Sequence, residues 1–142
     1  MSVIRLLPAR LHAIADYAVG GALIALALIV GGTAGATATG IVVGATVLGV
    51  SMLTNYPLGV AKVLPFTVHS AGDYLAATLL LVAPFTLHFN HTDSGLTALY
   101  IVAGIAVTAV SLITNYQYSG ANEVAVVAAQ TQTRPLVANR AR

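Results

Sequence analysis

The chain has 142 residues, 58% of them hydrophobic and 7% charged, with six Lys and Arg against four Asp and Glu. About a quarter of the residues in a soluble domain are charged, so this chain cannot clothe a water-facing surface, and six scattered basic residues without a basic run exclude nucleic acid as a partner. Cysteine is absent, which excludes disulfides, thiolate metal sites and cysteine nucleophiles.

The first apolar segment runs from Leu11 to Val30 and stops at the small, polar run GGTAGATATG; a second follows from Thr39 to Tyr56. The link PLGVAKVLPF carries two prolines and the chain's lysine, Lys62, and breaks the pattern. A third segment spans Thr67 to Phe89 and ends in NHTDSG, and the fourth spans Leu96 to Tyr116. Asp16 and Lys62 bracket 45 uncharged residues, and Asp93 and Glu123 bracket 29. A hydrocarbon core is crossed by about 20 apolar residues of helix, and in lipid each crossing must be helical to satisfy its own backbone. The sequence therefore predicts an all-α integral membrane protein, a four-helix bundle whose first partner is the lipid bilayer, with a polar tail over residues 117–142.

The four segments fall into two similar halves, residues 11–56 and 67–116, within a transmembrane domain of residues 1–116. His12, Asp16 and Tyr17 recur as His69, Asp73 and Tyr74 at an offset of 57. Ser51, Thr54, Asn55 and Tyr56 recur as Ser111, Thr114, Asn115 and Tyr116 at an offset of 60, and Gly44 maps onto Gly104. Two tandem two-helix repeats are expected. The recurrence also argues against reading Arg5, Arg10 and the first apolar run as a cleaved signal sequence, because segment one then belongs to a working repeat.

Lys and Arg counts orient the bundle. Both termini and the central link hold every Lys and Arg, and the opposite loops hold only Asp93, which predicts a multi-pass cell-membrane protein with both termini in the cytoplasm. His-x-x-x-Asp-Tyr opens spans one and three, and Thr-Asn-Tyr closes spans two and four, so all of these polar residues are expected at one depth near the cytoplasmic face. Tyr17 to Val30 supplies only 14 apolar residues, so the span should reach back past Asp16, and a carboxylate there is expected to turn inward, away from lipid. His12 stands four residues before Asp16 on one helical face, as His69 stands before Asp73. Each histidine is expected to donate to its own aspartate and to offer its other nitrogen across the bundle, where His12 and His69 face each other.

The candidate ligand-binding set is thus His12, Asp16, Asn55, Tyr56, His69, Asp73, Asn115 and Tyr116, with His12 and His69 as metal ligands. Paired imidazoles oriented by carboxylates suit a transition metal or a haem iron. The same residues also suit a proton or cation relay, which in four spans would need oligomerisation, or plain inter-helix hydrogen bonding in a structural subunit. Assembly as a homo-oligomer or as a subunit of a membrane complex is expected on any of these readings. Tyr17, Tyr56, Tyr74 and Tyr116 also fit a headgroup belt. Gly20 and Gly21 fit close helix packing or room for a flat ligand, and Gly40 to Gly44 in GIVVG form a small-residue helix-contact motif. His88 and His91 beside Asp93 fit a surface metal site or ordinary loop histidines. No Ser-His-Asp set, phosphate-cradling loop or H-E-x-x-H appears, so no catalytic residue is assigned.

The stretch HSAGDYLAATLLLVAPFTLHF resembles the SPW-repeat family of small bacterial and archaeal membrane proteins, whose two-span unit has a polar start and a Ser-Pro-Trp further along. Ala83, Pro84 and Phe85 stand at that place here, and Leu26, Ala27 and Leu28 in the first half. The resemblance implies a four-span architecture and no particular activity. Pro84 is expected to loosen span three locally, since it removes a backbone donor.

Overall fold

A computed structural model describes residues 6–117, and the predicted tail beyond them lies outside the described residues. Four helices follow in order: α1 (Ala9–Val30), α2 (Ala34–Leu53), α3 (Phe66–Thr86) and α4 (Ser94–Ile113). The described residues contain no strand, and all four helices are long and apolar enough to cross a membrane. Their 20 to 22 residues give about 30–33 Å at 1.5 Å per residue, the thickness of a hydrocarbon core. Leu28, Ile29, Val42, Leu75, Val102 and Ile105 stay exposed, as befits faces solvated by lipid tails.

Local chemistry sets the ends. Pro8 and Pro65 precede α1 and α3 in extended conformation; a proline costs nothing there, since the first N–H groups of a helix have no helical partner. Gly31 ends α1 in a left-handed conformation, φ 64°, and Thr33 caps α2 by accepting the Ala36 N–H. That cap starts α2 five residues before the apolar periodicity begins at Thr39.

The second and fourth spans also end earlier than expected, and for one reason. Thr54 and Thr114 are extended (ψ 139° each), and the chain then pairs with the segment leading into another helix. The Asn55 N–H donates to Leu64 O while the Val63 and Leu64 N–H groups donate to Leu53 O. At the other pair of ends, the Asn115 N–H donates to Leu7 O, and the Leu6 and Leu7 N–H groups donate to Ile113 O. These short ladders take the backbone groups that a longer helix would have used. Tyr56 and Tyr116 consequently leave the helices and fold back under the bundle, fully and almost fully buried. They do not join a headgroup belt.

α1 packs most closely on α2, and α3 on α4. A Cβ on Gly44 would stand 2.7 Å from Gly20 O, and one on Gly104 would stand 3.0 Å from Ala77 O, so backbones touch at both crossings. Gly20 and Gly44 thus make a packing contact and leave no slot for a flat ligand. Leu23, Leu80, Phe89, Leu96 and Tyr100 fill one end of the core. Ala9, Ala13, Tyr56, Phe66 and Tyr116 fill the other, immediately below the polar layer. At the far loops Asp93 accepts the Thr33 N–H (3.2 Å) and hydroxyl (2.6 Å), tying the two hairpins together.

Candidate metal centre

His12, Asp16, His69 and Asp73 meet between α1 and α3, all four buried, with one ligand atom of each lying within 4.8 Å of the others. The histidines are 1% and 2% exposed and the aspartates 8% each. The two Nε2 atoms stand 3.4 Å apart. His12 Nε2 lies 3.4 Å from Asp16 Oδ1 and 3.3 Å from Asp73 Oδ2, and His69 Nε2 lies 3.2 Å from Asp16 Oδ2 and 3.0 Å from Asp73 Oδ1. Each carboxylate therefore turns one oxygen to each imidazole. The expected arrangement, in which a histidine holds its own aspartate with one nitrogen and reaches across with the other, is replaced by one in which Nε2 does both.

Nδ1 is used elsewhere. His12 Nδ1 lies 2.9 Å from Thr114 Oγ1, and His69 Nδ1 lies 2.8 Å from Thr54 Oγ1. Each threonine hydroxyl already spends its one proton on a carbonyl four residues back, Thr114 on Val110 O and Thr54 on Val50 O, both at 2.7 Å. The hydroxyl oxygen must then accept from the imidazole. Both histidines are thereby held with hydrogen on Nδ1, and when neutral each presents the bare Nε2 lone pair to the centre.

With hydrogen on Nδ1, neutral imidazoles leave the centre of this cluster short of donors. With both imidazoles neutral, two lone pairs confront two carboxylates and each other. One protonated imidazole relieves this, since its Nε2–H donates to a carboxylate 3.0–3.4 Å away; with both protonated, the two N–H groups face each other across 3.4 Å. A metal cation at the centre also removes these repulsions, and the donor types suit one. Zinc bonds imidazole nitrogen and carboxylate oxygen at about 2.0–2.2 Å in a tetrahedron, whose edges are about 3.3–3.6 Å at those bond lengths. The Nε2–Nε2 separation matches such an edge; the four Nε2–oxygen approaches use four different oxygens, so a bound ion would draw one oxygen of each carboxylate toward both nitrogens.

The surroundings orient the carboxylates. Ser51 and Tyr56 hydroxyls donate to Asp16 Oδ2, each at 3.3 Å, and the Tyr116 hydroxyl donates to Asp73 Oδ2 at 2.6 Å. Phe66 closes the end of the site, its ring centroid 5.4 and 5.7 Å from those of His12 and His69 and 4.7 Å from that of Tyr116.

Six of the eight sequence candidates thus come together: His12, Asp16, Tyr56, His69, Asp73 and Tyr116. Asn55 and Asn115 do not. Asn55 is exposed, and the Asn115 side chain accepts from the Gln117 N–H, because the extended backbone at each threonine turns the asparagine outward. Their neighbours Thr54 and Thr114 do the work instead. The signal for them was present, since they belong to the same recurring triplet, but only the cross-bundle hydrogen bond shows which member of the triplet points in. Phe66 had no such signal, as its counterpart in the first half is Ala9. Among the described residues this is the one His/Asp cluster with metal-ligand spacing; His88 and His91 are exposed and form none. No family description, curated protein or solved structure matches this chain.

Proposed function

We propose that this chain is a multi-pass membrane protein that holds one divalent transition-metal ion of the zinc class between its two halves, with His12 Nε2, His69 Nε2, Asp16 and Asp73 as ligands. The observation that carries this reading is the pair of threonine acceptors, which commits both Nδ1 protons and, in the neutral imidazoles, leaves two Nε2 lone pairs beside two carboxylates. A divalent ion with two carboxylates is neutral, and neutrality is what a site inside a bilayer needs. Nitrogen and oxygen donors in a tetrahedron favour zinc over calcium or magnesium, which take six or more oxygens. Four protein ligands make a closed centre, suited to holding an ion and joining two hairpins more than to catalysis.

The recurring motifs support two duplicated hairpins related by a pseudo-two-fold axis through the metal. Arg10 and Lys62 stand at the same end as the centre, which supports a cytoplasmic location for it. The resemblance to the SPW-repeat family would agree with the architecture and adds no activity. Haem is disfavoured, because Asp16, Asp73 and Phe66 occupy the space a porphyrin would need between the imidazoles. Simple inter-helix hydrogen bonding is the competing reading, since a protonated imidazole would donate Nδ1–H to its threonine and Nε2–H to a carboxylate; metal content separates the two. A proton or cation relay would need a wetted path, and histidines 1% and 2% exposed favour holding an ion over passing it.

The test is metal analysis of protein purified in detergent from zinc-supplemented cells. About one zinc per chain is expected, lost in His12→Ala/His69→Ala, and cobalt substitution should give the intense visible bands of a tetrahedral site. Wild-type protein that is folded, carries no metal and takes up neither ion would overturn the reading.

A further inference from the structure

A crevice of about 200 Å³ opens between α2 and α3 towards the lipid, with His69 and Asp73 at its inner end. Its walls are aliphatic, chiefly Val43, Val47, Val50, Ala76 and Leu79. The Thr46 hydroxyl on the wall donates to Val42 O and has no proton to offer an occupant. From His69 to Leu79 the wall runs about 15 Å along the helix. The corresponding crevice between α1 and α4, with His12 and Asp16 at its inner end, holds only about 40 Å³. Two positions explain the difference: Gly72 and Ala76 in the open half correspond to Ala15 and Val19 in the closed one, at the offset of 57.

We infer that the open crevice binds a single-chain lipid with an uncharged hydroxyl head, such as a long-chain or isoprenoid alcohol, whose hydroxyl donates to the Asp73 carboxylate beside the proposed metal. This inference rests on the metal reading for the state of the head site. The aliphatic walls select a hydrocarbon chain, which reaches the opening directly from the bilayer. The inner end offers acceptor oxygen and no Lys or Arg, so it matches a donor and gives an anionic head no cationic partner. A neutral metal centre exerts no net pull on a cationic head, which would also be costly to bring to this depth. A hydroxyl meets these conditions at one end and the hydrocarbon at the other.

The experiment uses full-length protein in phosphatidylcholine nanodiscs, photolabelled with a diazirine-bearing tetradecanol. Unlabelled tetradecanol, tetradecane and tetradecanoate compete, and the metal content of every sample is measured. Labelling of α2 and α3 that tetradecanol competes at least tenfold better than the alkane or the carboxylate is expected. Gly72→Ala/Ala76→Val, which writes the closed half's residues into the open one, should reduce labelling about tenfold and leave the metal in place. Both changes are small, and a Cβ on Gly72 meets only Val50 Cγ1, at 3.9 Å; Val47→Phe fills the crevice from the other wall as a second variant. Equal competition by alkane would show an ordinary acyl-chain slot and overturn the inference, as would preference for the carboxylate or labelling that neither variant reduces. Metal present with no alcohol-specific labelling defeats the crevice alone. Alcohol-specific labelling in metal-free wild type defeats the metal reading alone.

Discussion

Replacing Thr54 and Thr114 by valine tests the step on which the metal assignment turns. Valine keeps the shape and removes the acceptor, so each imidazole loses the partner that fixes hydrogen on Nδ1, at 2.8 Å in one half and 2.9 Å in the other. A buried N–H left without an acceptor costs about 1–3 kcal/mol. The metal-free protein escapes that cost by moving the proton to Nε2, where a carboxylate oxygen 3.0–3.4 Å away accepts it. The metal-bound protein cannot, because Nε2 is then a ligand. The substitution therefore stabilises the metal-free state relative to the bound one, and each single variant should bind zinc about 10–100-fold more weakly, the usual effect of removing an outer-shell partner. That is about 1.4–2.8 kcal/mol per threonine, and near-additive losses are expected in the double variant. Chelator competition on detergent-purified protein measures the affinity, and Thr54→Ser/Thr114→Ser, which restores the hydroxyl, should recover most of it. A double valine variant that unfolds cooperatively yet binds zinc within threefold of wild type would refute the tautomer argument.

Three further outcomes follow from other parts of the bundle. Gly44→Val should destabilise the protein by about 1–3 kcal/mol in denaturant titration, since the new Cβ would stand 2.7 Å from Gly20 O and 2.8 Å from Ile24 Cγ1; Gly21→Ala, with nothing within 4 Å of its added methyl, should stay within about 0.5 kcal/mol. Asn55→Ala and Asn115→Ala should leave zinc affinity unchanged in the same competition assay, because neither side chain reaches the centre. The Thr33 hydroxyl, helped by the Thr33 N–H and the Thr92 hydroxyl, holds the Asp93 carboxyl below its ordinary value. A lowered carboxylate contributes stability that is complete above the unfolded value of about 3.9 and lost as pH falls through the folded value. Melting temperature should therefore drop below about pH 4 in wild type, by an amount missing in Asp93→Asn.

The four helices were legible because the bilayer enforces them: long uncharged runs have no other stable form in lipid. The convergence of His12, Asp16, His69 and Asp73 was legible too, from spacing within each helix and from the recurrence of the pattern. What lay beyond the sequence was direction at the helix ends. Thr54, Asn55 and Tyr56 read as three consecutive polar positions of a helix, where 100° turns would scatter them. In fact the helix stops at Leu53, Thr54 is extended with its side chain inward, and the chain turns at Asn55, where the Tyr56 N–H donates to Thr54 O, leaving the asparagine out and the tyrosine in. The cause is a backbone ladder to residues just before the next helix, a long-range pairing that leaves no periodic trace.

The two halves differ where they meet below the His/Asp cluster. Phe66 fills the space between the two halves' rings, in contact with His12, His69, Tyr56 and Tyr116. Its counterpart Ala9 is buried in the same cluster, and a second phenylalanine there would compete for one space. Phe66 also stands between the His/Asp centre and a pocket of about 230 Å³ lined by Asn55, Lys62 and Tyr116. Phe66→Ala should therefore cost stability, about 3–5 kcal/mol for a buried phenylalanine. It should also speed metal loss to a chelator by more than the change in affinity explains. The swapped variant Ala9→Phe/Phe66→Ala separates the two effects, since it returns one ring to that space from the other half. Slow release restored by the swap would locate the barrier in the ring itself; release that stays fast would assign it to the local packing of α3 and remove Phe66 as a cover for the centre.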